Sequence, residues 1–386
     1  MVKKYISLFS GIGGLDYGIE AAGFQNIGCV EFDAHACQNL RLNTNWPVYQ
    51  ADVTQIDASE ILKKNKLKKG ELDLLVGGPP CQSYSKSSLW AEDLKRGYKD
   101  SRGKLIDHYM RFVQQALPKV FLIENVPGFI SSKTKENGFR RVEKFIEEIR
   151  KTSGYKYNLS WKIINCAEYG VPQKRERVFI IGSRLGSFEF PLPKYGPPSS
   201  EEVLKDEKFP FVTAGEALSF VKNDDILSGL AIGGKWNHLI KSIPPGENYL
   251  YYTEKGLSKK KLFEYRSRYW TFLLKLSPHS PSWTIQASPG SSTGPFHWEN
   301  RKLSLKELAK LQTLPSYLKF SGPYRQNQKL IGNAVPSAIG EVLGTEIRTQ
   351  IFKERVKYSG ILLPCKTTKK PMAFKKQRDL NSILSA

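Results

Sequence analysis

The first half of the chain alternates short, nearly continuous apolar runs with segments in which apolar residues recur at helical spacing. The apolar runs predict strands at residues 5–9, 26–32, 72–78, 119–126 and 177–183. Helices are predicted between them, at residues 15–22, 34–43, 105–117 and 139–149. Strands that are apolar on both faces and separated by helices are typical of a parallel sheet covered by helices. This half of the chain therefore predicts an α/β fold with helices on both faces.

The alternation ends near residue 188, in the proline-rich stretch FEFPLPKYGPPSS. The segment that follows mixes glycine, proline, aromatic and charged residues, a composition typical of a recognition surface. Helical spacing returns at residues 303–312 and again in GNAVPSAIGEVLGTEI, residues 332–347. We therefore predict one α/β domain made of residues 1–190 and 320–364. A smaller irregular domain with a hinge is inserted at residues 191–319, and residues 365–386 form a basic tail.

The charge of the chain indicates a polyanionic partner. Lysine and arginine total 59 against 37 acidic residues, a net charge of +22, which favours nucleic acid over a membrane. No stretch approaches the ~18 apolar residues of a membrane span, and the start resembles no signal peptide. The five cysteines form no CxxC pair, so neither a zinc site nor a disulfide framework is predicted. We expect a cytoplasmic protein without a metal.

The glycine-rich loop LFSGIGG follows the first strand and opens a helix, where α/β folds bind nucleotides. It departs from the dinucleotide pattern GxGxxG, because Asp16 occupies the third glycine position after Gly11 and Gly13. Glu31 ends the second strand twenty residues after Gly11 and is suited to bind ribose hydroxyls. Acidic rather than basic residues around such a loop favour a neutral or cationic nucleoside. S-adenosylmethionine (AdoMet) has this chemistry.

A second loop, GGPPCQSYS, presents a cysteine directly after two prolines. Pro79 and Pro80 restrict the backbone to a preset turn, which neither a helix nor a strand can continue. A cysteine retained only for packing is more often found inside an apolar element. Cys81 is therefore a candidate nucleophile.

Several further motifs follow in a fixed order. They are SRGKL, FLIENVPG, QKRERVFIIG, RKLSLKELAKLQTLP and GNAVP. With the two loops above, they closely resemble the DNA (cytosine-5) methyltransferases of bacterial restriction–modification systems, from Tyr5 to about Gly344 outside the middle segment. One departure is Ser7, where that family often has an acidic residue.

The resemblance implies transfer of a methyl group to C5 of cytosine in a specific double-stranded DNA sequence. Cys81 would add to C6 of a flipped-out base. Glu124 would hold the N3 and amino edge of that base and place a proton at N3. Arg177 would lie towards the base carbonyl and Glu124, and Arg175 would hold the active-site loop or a phosphate.

The resemblance also implies AdoMet as methyl donor, with no metal. We expect a bacterial, DNA-associated monomer without a membrane partner, and a restriction–modification role would add a cognate restriction endonuclease that acts separately. The residues that the resemblance places around AdoMet are Phe9, Gly11, Gly13, Glu31, Phe32, Asp52, Val53, Pro80, Leu105, Asn333 and Val335.

Three alternatives remain open at this point. A tRNA cytosine-5 methyltransferase of the same family would need a much smaller recognition segment than the variable middle segment, so DNA is the preferred substrate. A catalytically silent regulator that binds AdoMet and DNA is disfavoured by the joint presence of Cys81, Glu124 and Arg177. A nicotinamide or flavin oxidoreductase is disfavoured by Asp16 in the glycine pattern.

Overall fold

A computed structural model describes residues 2–80, 105–131, 137–219, 221, 230–266 and 269–363. Its strands are β1 (Lys3–Leu8), β2 (Phe24–Glu31), β3 (Val48–Gln50), β4 (Leu74–Gly77), β5 (Val120–Asn125), β6 (Asn158–Asn165), β7 (Gln173–Lys174), β8 (Glu176–Ser183), β9 (Tyr195–Gly196), β10 (Phe209–Pro210) and β11 (Ser282–Trp283). Its helices are α1 (Gly14–Ala21), α2 (Ala34–Asn43), α3 (Ala58–Lys64), α4 (Leu105–Ala116), α5 (Gly128–Ser131), α6 (Gly138–Ser153), α7 (Glu201–Leu204), α8 (Ala214–Leu218), α9 (Leu305–Leu311), α10 (Tyr324–Asn333) and α11 (Ser337–Glu346).

Seven strands form one sheet in the order β3-β2-β1-β4-β5-β8-β6. The first five strands in this order are parallel to one another, which confirms the α/β fold. The late strand predicted at residues 177–183 does belong to this sheet, but as β8 it is antiparallel to both β5 and β6. Only the short segment 166–175 joins β6 to β8, and antiparallel strands need no long crossover connection.

Strand β6 has no counterpart in the sequence prediction. It forms an edge of the sheet and pairs only with β8 in the described part of the chain. Its residues are mostly half-buried or exposed. An edge strand of this kind lacks the continuous apolar run by which the central strands were recognised.

Helices cover both faces of the sheet. α3, α4 and α6 bury one face in a core that includes Leu75, Phe112 and Ile123. α1 and α11 bury the other face, together with Leu122 and Phe179. The doubly covered sheet explains why its central strands carry apolar residues on both sides.

The C-terminal part of the chain returns to the first helix. A Cβ atom at Gly14 would lie 2.4 Å from the Val335 carbonyl oxygen, and one at Gly18 would lie 2.1 Å from that of Ser337. The absence of side chains at these two glycines therefore lets α1 and α11 pack backbone against backbone.

The helix predicted over residues 332–347 is wrong as a single element. α10 ends at Asn333, and α11 begins at Ser337, after Pro336. Ala334 is extended between them, with ψ at 146°. Proline has no N–H to donate and disfavours a helical residue before it, so the chain breaks there.

The predicted inserted segment contributes to two different cores. Residues 232–296 include a small apolar cluster of their own, around Ile240, Tyr252 and Phe296. By contrast, Leu218 and Leu308 pack with residues of α2 in a core shared with the main sheet. The boundaries 191–319 stay a prediction. In the described residues, no helix is long and apolar enough to cross a membrane.

Candidate active site

Glu124 lies near the carboxyl end of β5, at the edge of the sheet to which the glycine loop also belongs. Its carboxylate is buried, and Oε1 lies 2.9 Å from Nε of Arg177 on the neighbouring strand β8. A Cβ atom at Gly78 would lie 2.8 Å from Glu124 Oε2. The loop that leads to Cys81 therefore passes directly beside this carboxylate.

The environment of Glu124 favours its protonated form. Burial raises the pKa of the Glu124 carboxyl above its usual range, and the charges of Arg177 and Arg175 offset only part of this rise. A rise in the pKa of a carboxyl group makes it a better proton donor in general acid catalysis.

Arg175 is fully buried and connects three parts of the chain. Its Nη2 donates to the Gly332 carbonyl at 3.0 Å, and Nη1 lies 3.5 Å from the Ile285 carbonyl. Burial and the nearby Arg177 lower the pKa of Arg175 to about 9, which leaves it protonated at neutral pH. Arg175 thus holds the last turn of α10 and the backbone at Ile285 against the site. Arg177 carries the direct contact with Glu124.

Asn125 fixes the proline turn. Its Nδ2 donates to the Pro79 carbonyl at 3.2 Å, and its Oδ1 accepts from the N–H of Val126 at 2.9 Å. The amide therefore ties the loop before Cys81 to the end of β5. Cys81 itself lies outside the described residues.

The glycine loop and Glu31 are joined directly. The N–H of Gly11 donates to Glu31 Oε2 at 2.7 Å, and the N–H of Asp33 donates to Oε1 at 2.8 Å. Phe9, Gly11 and Gly13 all have positive φ, between 56° and 82°. A Cβ atom at Gly11 would meet no described atom within 4 Å. The loop therefore has open space next to Gly11, and the Glu31 carboxylate lies beside it.

The other residues predicted to bind the cofactor belong to different strands, helices and loops. Phe32 is 74% exposed directly after β2, and Pro80 is exposed at the proline turn. Asp52 accepts from the N–H of Thr54 at 2.8 Å, and Val53 is buried. Leu105 opens α4, Asn333 is exposed at the end of α10, and Val335 packs against Gly14.

Arg111 clamps the segment that follows Asp52, a contact that was not predicted from the sequence. Arg111 of α4 donates through Nη2 to the carbonyls of Val53 at 2.6 Å and Ile56 at 2.8 Å. Its Nη1 contacts the Asp57 carboxylate, which also accepts from Gln115 at 2.8 Å. A polar stripe at every fourth residue of α4 was the available signal.

Asp16 is a second feature that the sequence did not reveal. It is fully buried in the first turn of α1, and neither carboxylate oxygen has a hydrogen-bond partner of normal geometry in the described residues. Burial raises the pKa of Asp16 to about 7, although the facing Ser7 and Tyr5 hydroxyls offset part of the rise. Ser10 donates to Ser7 at 3.0 Å. An acid thus faces Ser7 from the helix.

The donor set around the glycine loop fits AdoMet. Gly11 leaves room for a ligand against the backbone, Glu31 supplies a carboxylate, and Phe32 offers an exposed ring. A sulfonium and an adenosine match such a set, whereas a pyrophosphate would face an acid. Among the described residues, no group of three His, Cys, Asp or Glu side chains could hold a metal ion.

Residues 3–349 match the family model of the C-5 cytosine-specific DNA methylases. The chain belongs to this family. The resemblance found in the sequence is therefore confirmed, as is the prediction that the protein is a DNA cytosine-5 methyltransferase. The alternative of a nicotinamide or flavin oxidoreductase is wrong.

Individual relatives agree with the family. The chain is 37% identical over 371 residues to the Type II methyltransferase M.SacI of Streptomyces achromogenes, covering 90% of this chain and 93% of the relative. It is 42% identical over 226 residues to the Type II methyltransferase M.AquIA of Picosynechococcus sp., covering 57% and 89%. The solved structure of the Entamoeba histolytica methyltransferase EhMeth shares the fold, with a TM-score of 0.62 at 17% identity over 90% of this chain and 98% of that one.

Proposed function

We propose that the protein transfers a methyl group from AdoMet to C5 of cytosine in a specific double-stranded DNA sequence, through a covalent adduct of Cys81 with C6 of a flipped-out base. The observation that carries the proposal is the buried Glu124–Arg177 pair, 2.9 Å apart, beside the loop that leads to Cys81. An acid and a cation thus lie together at one edge of the sheet, beside the chain segment that precedes Cys81 in the sequence.

The chemistry requires a nucleophile because cytosine C5 is itself unreactive. The Cys81 thiolate forms a bond to C6, and the ring electrons move towards N3, so that C5 becomes an enamine-like carbon. C5 then takes the methyl group as the methyl–sulfur bond of the donor breaks, and S-adenosylhomocysteine would leave. Loss of the C5 proton, return of the N3 proton to Glu124 and cleavage of the C6–S bond restore the aromatic ring and the free thiolate.

Glu124 and Arg177 would assist the first step. A protonated Glu124 can donate to N3 as negative charge develops there, and burial, which raises its pKa, favours that form. Arg177 orients the carboxyl through its Nε contact and donates from Nη1 to the Glu176 carbonyl at 2.7 Å, so its Nη2 can donate to the base carbonyl. Arg175 would support the Glu124–Arg177 pair indirectly, by holding the backbone around the site through its contacts to the Gly332 and Ile285 carbonyls.

AdoMet, when bound, supplies an electrophilic methyl group on its sulfonium. The loop of Phe9, Gly11 and Gly13 would accommodate it against the backbone, and Glu31 would hold the ribose. Phe32 would stack on the adenine, and Asp52 with Val53 would meet the adenine edge. The pocket would be closed by Pro80, Leu105, Asn333 and Val335.

The inserted segment would read the DNA sequence, and the protein would act within a restriction–modification system. The names of the relatives M.SacI and M.AquIA, both Type II methyltransferases, support this role. A separate endonuclease would then cut the unmethylated sequence. We propose that the enzyme acts as a cytoplasmic monomer.

The test is transfer of tritiated methyl groups from AdoMet to chromosomal DNA and, in parallel, to total tRNA. The wild type should label DNA, and Cys81→Ala should abolish the label while DNA binding persists. Duplexes containing 5-fluorocytosine should trap a covalent complex, since the fluorine cannot leave as a proton does. Bisulfite sequencing of the product gives the target sequence.

Two outcomes would contradict the proposal in different ways. Label in tRNA alone would keep the mechanism and overturn the DNA substrate. Full activity of Cys81→Ala, or the absence of any adduct with 5-fluorocytosine, would overturn the covalent mechanism itself.

A further inference from the structure

Two tryptophans are exposed together beside the short strand β7, which directly precedes the candidate catalytic residues Arg175 and Arg177. Trp270 is 44% exposed and Trp283 is 38% exposed, and their rings are 5.4 Å apart, edge to face. Nζ of Lys174 lies 5.3 Å from the centre of the Trp283 ring. Large exposed aromatic side chains next to a cation commonly mark a binding surface.

Trp283 of this pair is held next to the candidate active site by β-strand pairing and side-chain contacts. Ser282 and Trp283 of β11 pair with Gln173 and Lys174 of β7. The N–H of Ile285 donates to the Gln173 side chain at 3.1 Å, and the Thr284 hydroxyl donates to the Lys174 carbonyl at 2.8 Å. Arg175 also contacts the Ile285 carbonyl. Backbone and side-chain contacts therefore fix Trp283 relative to Lys174.

The distance to the reaction site is short. Lys174 is three residues from Arg177, and three residues of chain span at most about 11 Å. Arg177 in turn contacts Glu124 at 2.9 Å. The backbone of Lys174, and that of its pairing partner Trp283, therefore lies close enough to Arg177 for DNA bound at Glu124 to reach it.

We propose that Trp283, supported by Trp270 and Lys174, packs against a nucleotide that flanks the extruded cytosine. Indole rings stack on any base or sugar, whereas Lys174 pairs with a phosphate of the same strand. The contact positions the DNA and is not itself catalytic. The inference rests on the proposed methyl transfer to a flipped-out base and names a contact which that reaction uses.

The test compares Trp283→Ala, Trp270→Ala and Trp283→Phe with the wild type, using sheared chromosomal DNA as the methyl acceptor. Loss of one stacking contact should raise the KM for DNA about tenfold, and Trp283→Phe should restore most of it. Lys174→Gln should lower the slope of log affinity against log salt by about one, which Trp283→Ala should not do.

Trp161 offers a matched control. It is 48% exposed on the edge strand β6, where it contacts Phe139, so Trp161→Ala should leave the KM for DNA unchanged. An unchanged KM in Trp283→Ala and Trp270→Ala, with normal thermal melting, would overturn the contact while methyl transfer stands. A wild type that methylates no DNA would overturn the proposed function instead.

Discussion

Replacing Asp16 with asparagine should stabilise the protein at alkaline pH and make little difference in acid. Burial raises the pKa of Asp16 from 3.8 to about 7. Each pKa unit corresponds to about 1.4 kcal/mol, so keeping Asp16 ionised in the folded state costs about 4 kcal/mol above pH 7. Because the folded pKa lies above the unfolded one, this cost grows as pH rises from about 4 to about 7 and is constant beyond.

The measurement is urea unfolding of the wild type and Asp16→Asn, followed by tryptophan fluorescence. The advantage of the variant in free energy of unfolding should grow by about 2 kcal/mol between pH 5.5 and pH 8. Glu60→Gln, which alters an exposed carboxylate in the first turn of α3, should show no such trend. Parallel pH curves for wild type and Asp16→Asn would refute the assignment of an uncompensated buried carboxyl.

Two further substitutions address the chemistry and the cofactor. Glu124→Gln keeps the shape of the side chain but removes its acid, so single-turnover methyl transfer should slow by about 10²–10⁴. Because burial raises the pKa of Glu124, adduct formation in the wild type should slow as pH rises through that pKa; a flat pH profile would exclude Glu124 as the acid. Arg111→Lys should weaken AdoMet binding in equilibrium dialysis about tenfold, since an ammonium cannot replace the guanidinium fork at the Val53 and Ile56 carbonyls. Arg150→Lys, at an exposed ion pair, should bind normally, and equal affinity of both variants would show that the clamp does not position the cofactor.

Much of the fold could be predicted because its signals are local. The apolar runs located β1, β2, β4, β5 and β8, and the residues 34–43 predicted as a helix are those of α2. The glycines at the end of β1 and the prolines before Cys81 restrict the backbone whatever surrounds them. The order of the motifs was enough to give the family.

Other features depend on burial and on contacts between distant segments. Strand β6 is recognisable only through its pairing with β8. The antiparallel direction of β8 depends on its position in the sheet, between β5 and β6. The clamp of Arg111 joins α4 to a segment more than fifty residues earlier. The sequence pattern alone does not predict which polar side chains become buried when distant segments pack together.

The sequence by itself determined the α/β class, the glycine and proline loops, and the residue types that carry the proposed chemistry, since each depends on a few neighbouring residues. Only the tertiary structure decided that Arg177 contacts Glu124 and that Arg175 is buried. It also decided that Asp16 is buried facing Ser7, with no hydrogen-bond partner of normal geometry among the described residues. Desolvation and Coulomb interactions act through space, so charge states arise only after distant segments have packed together.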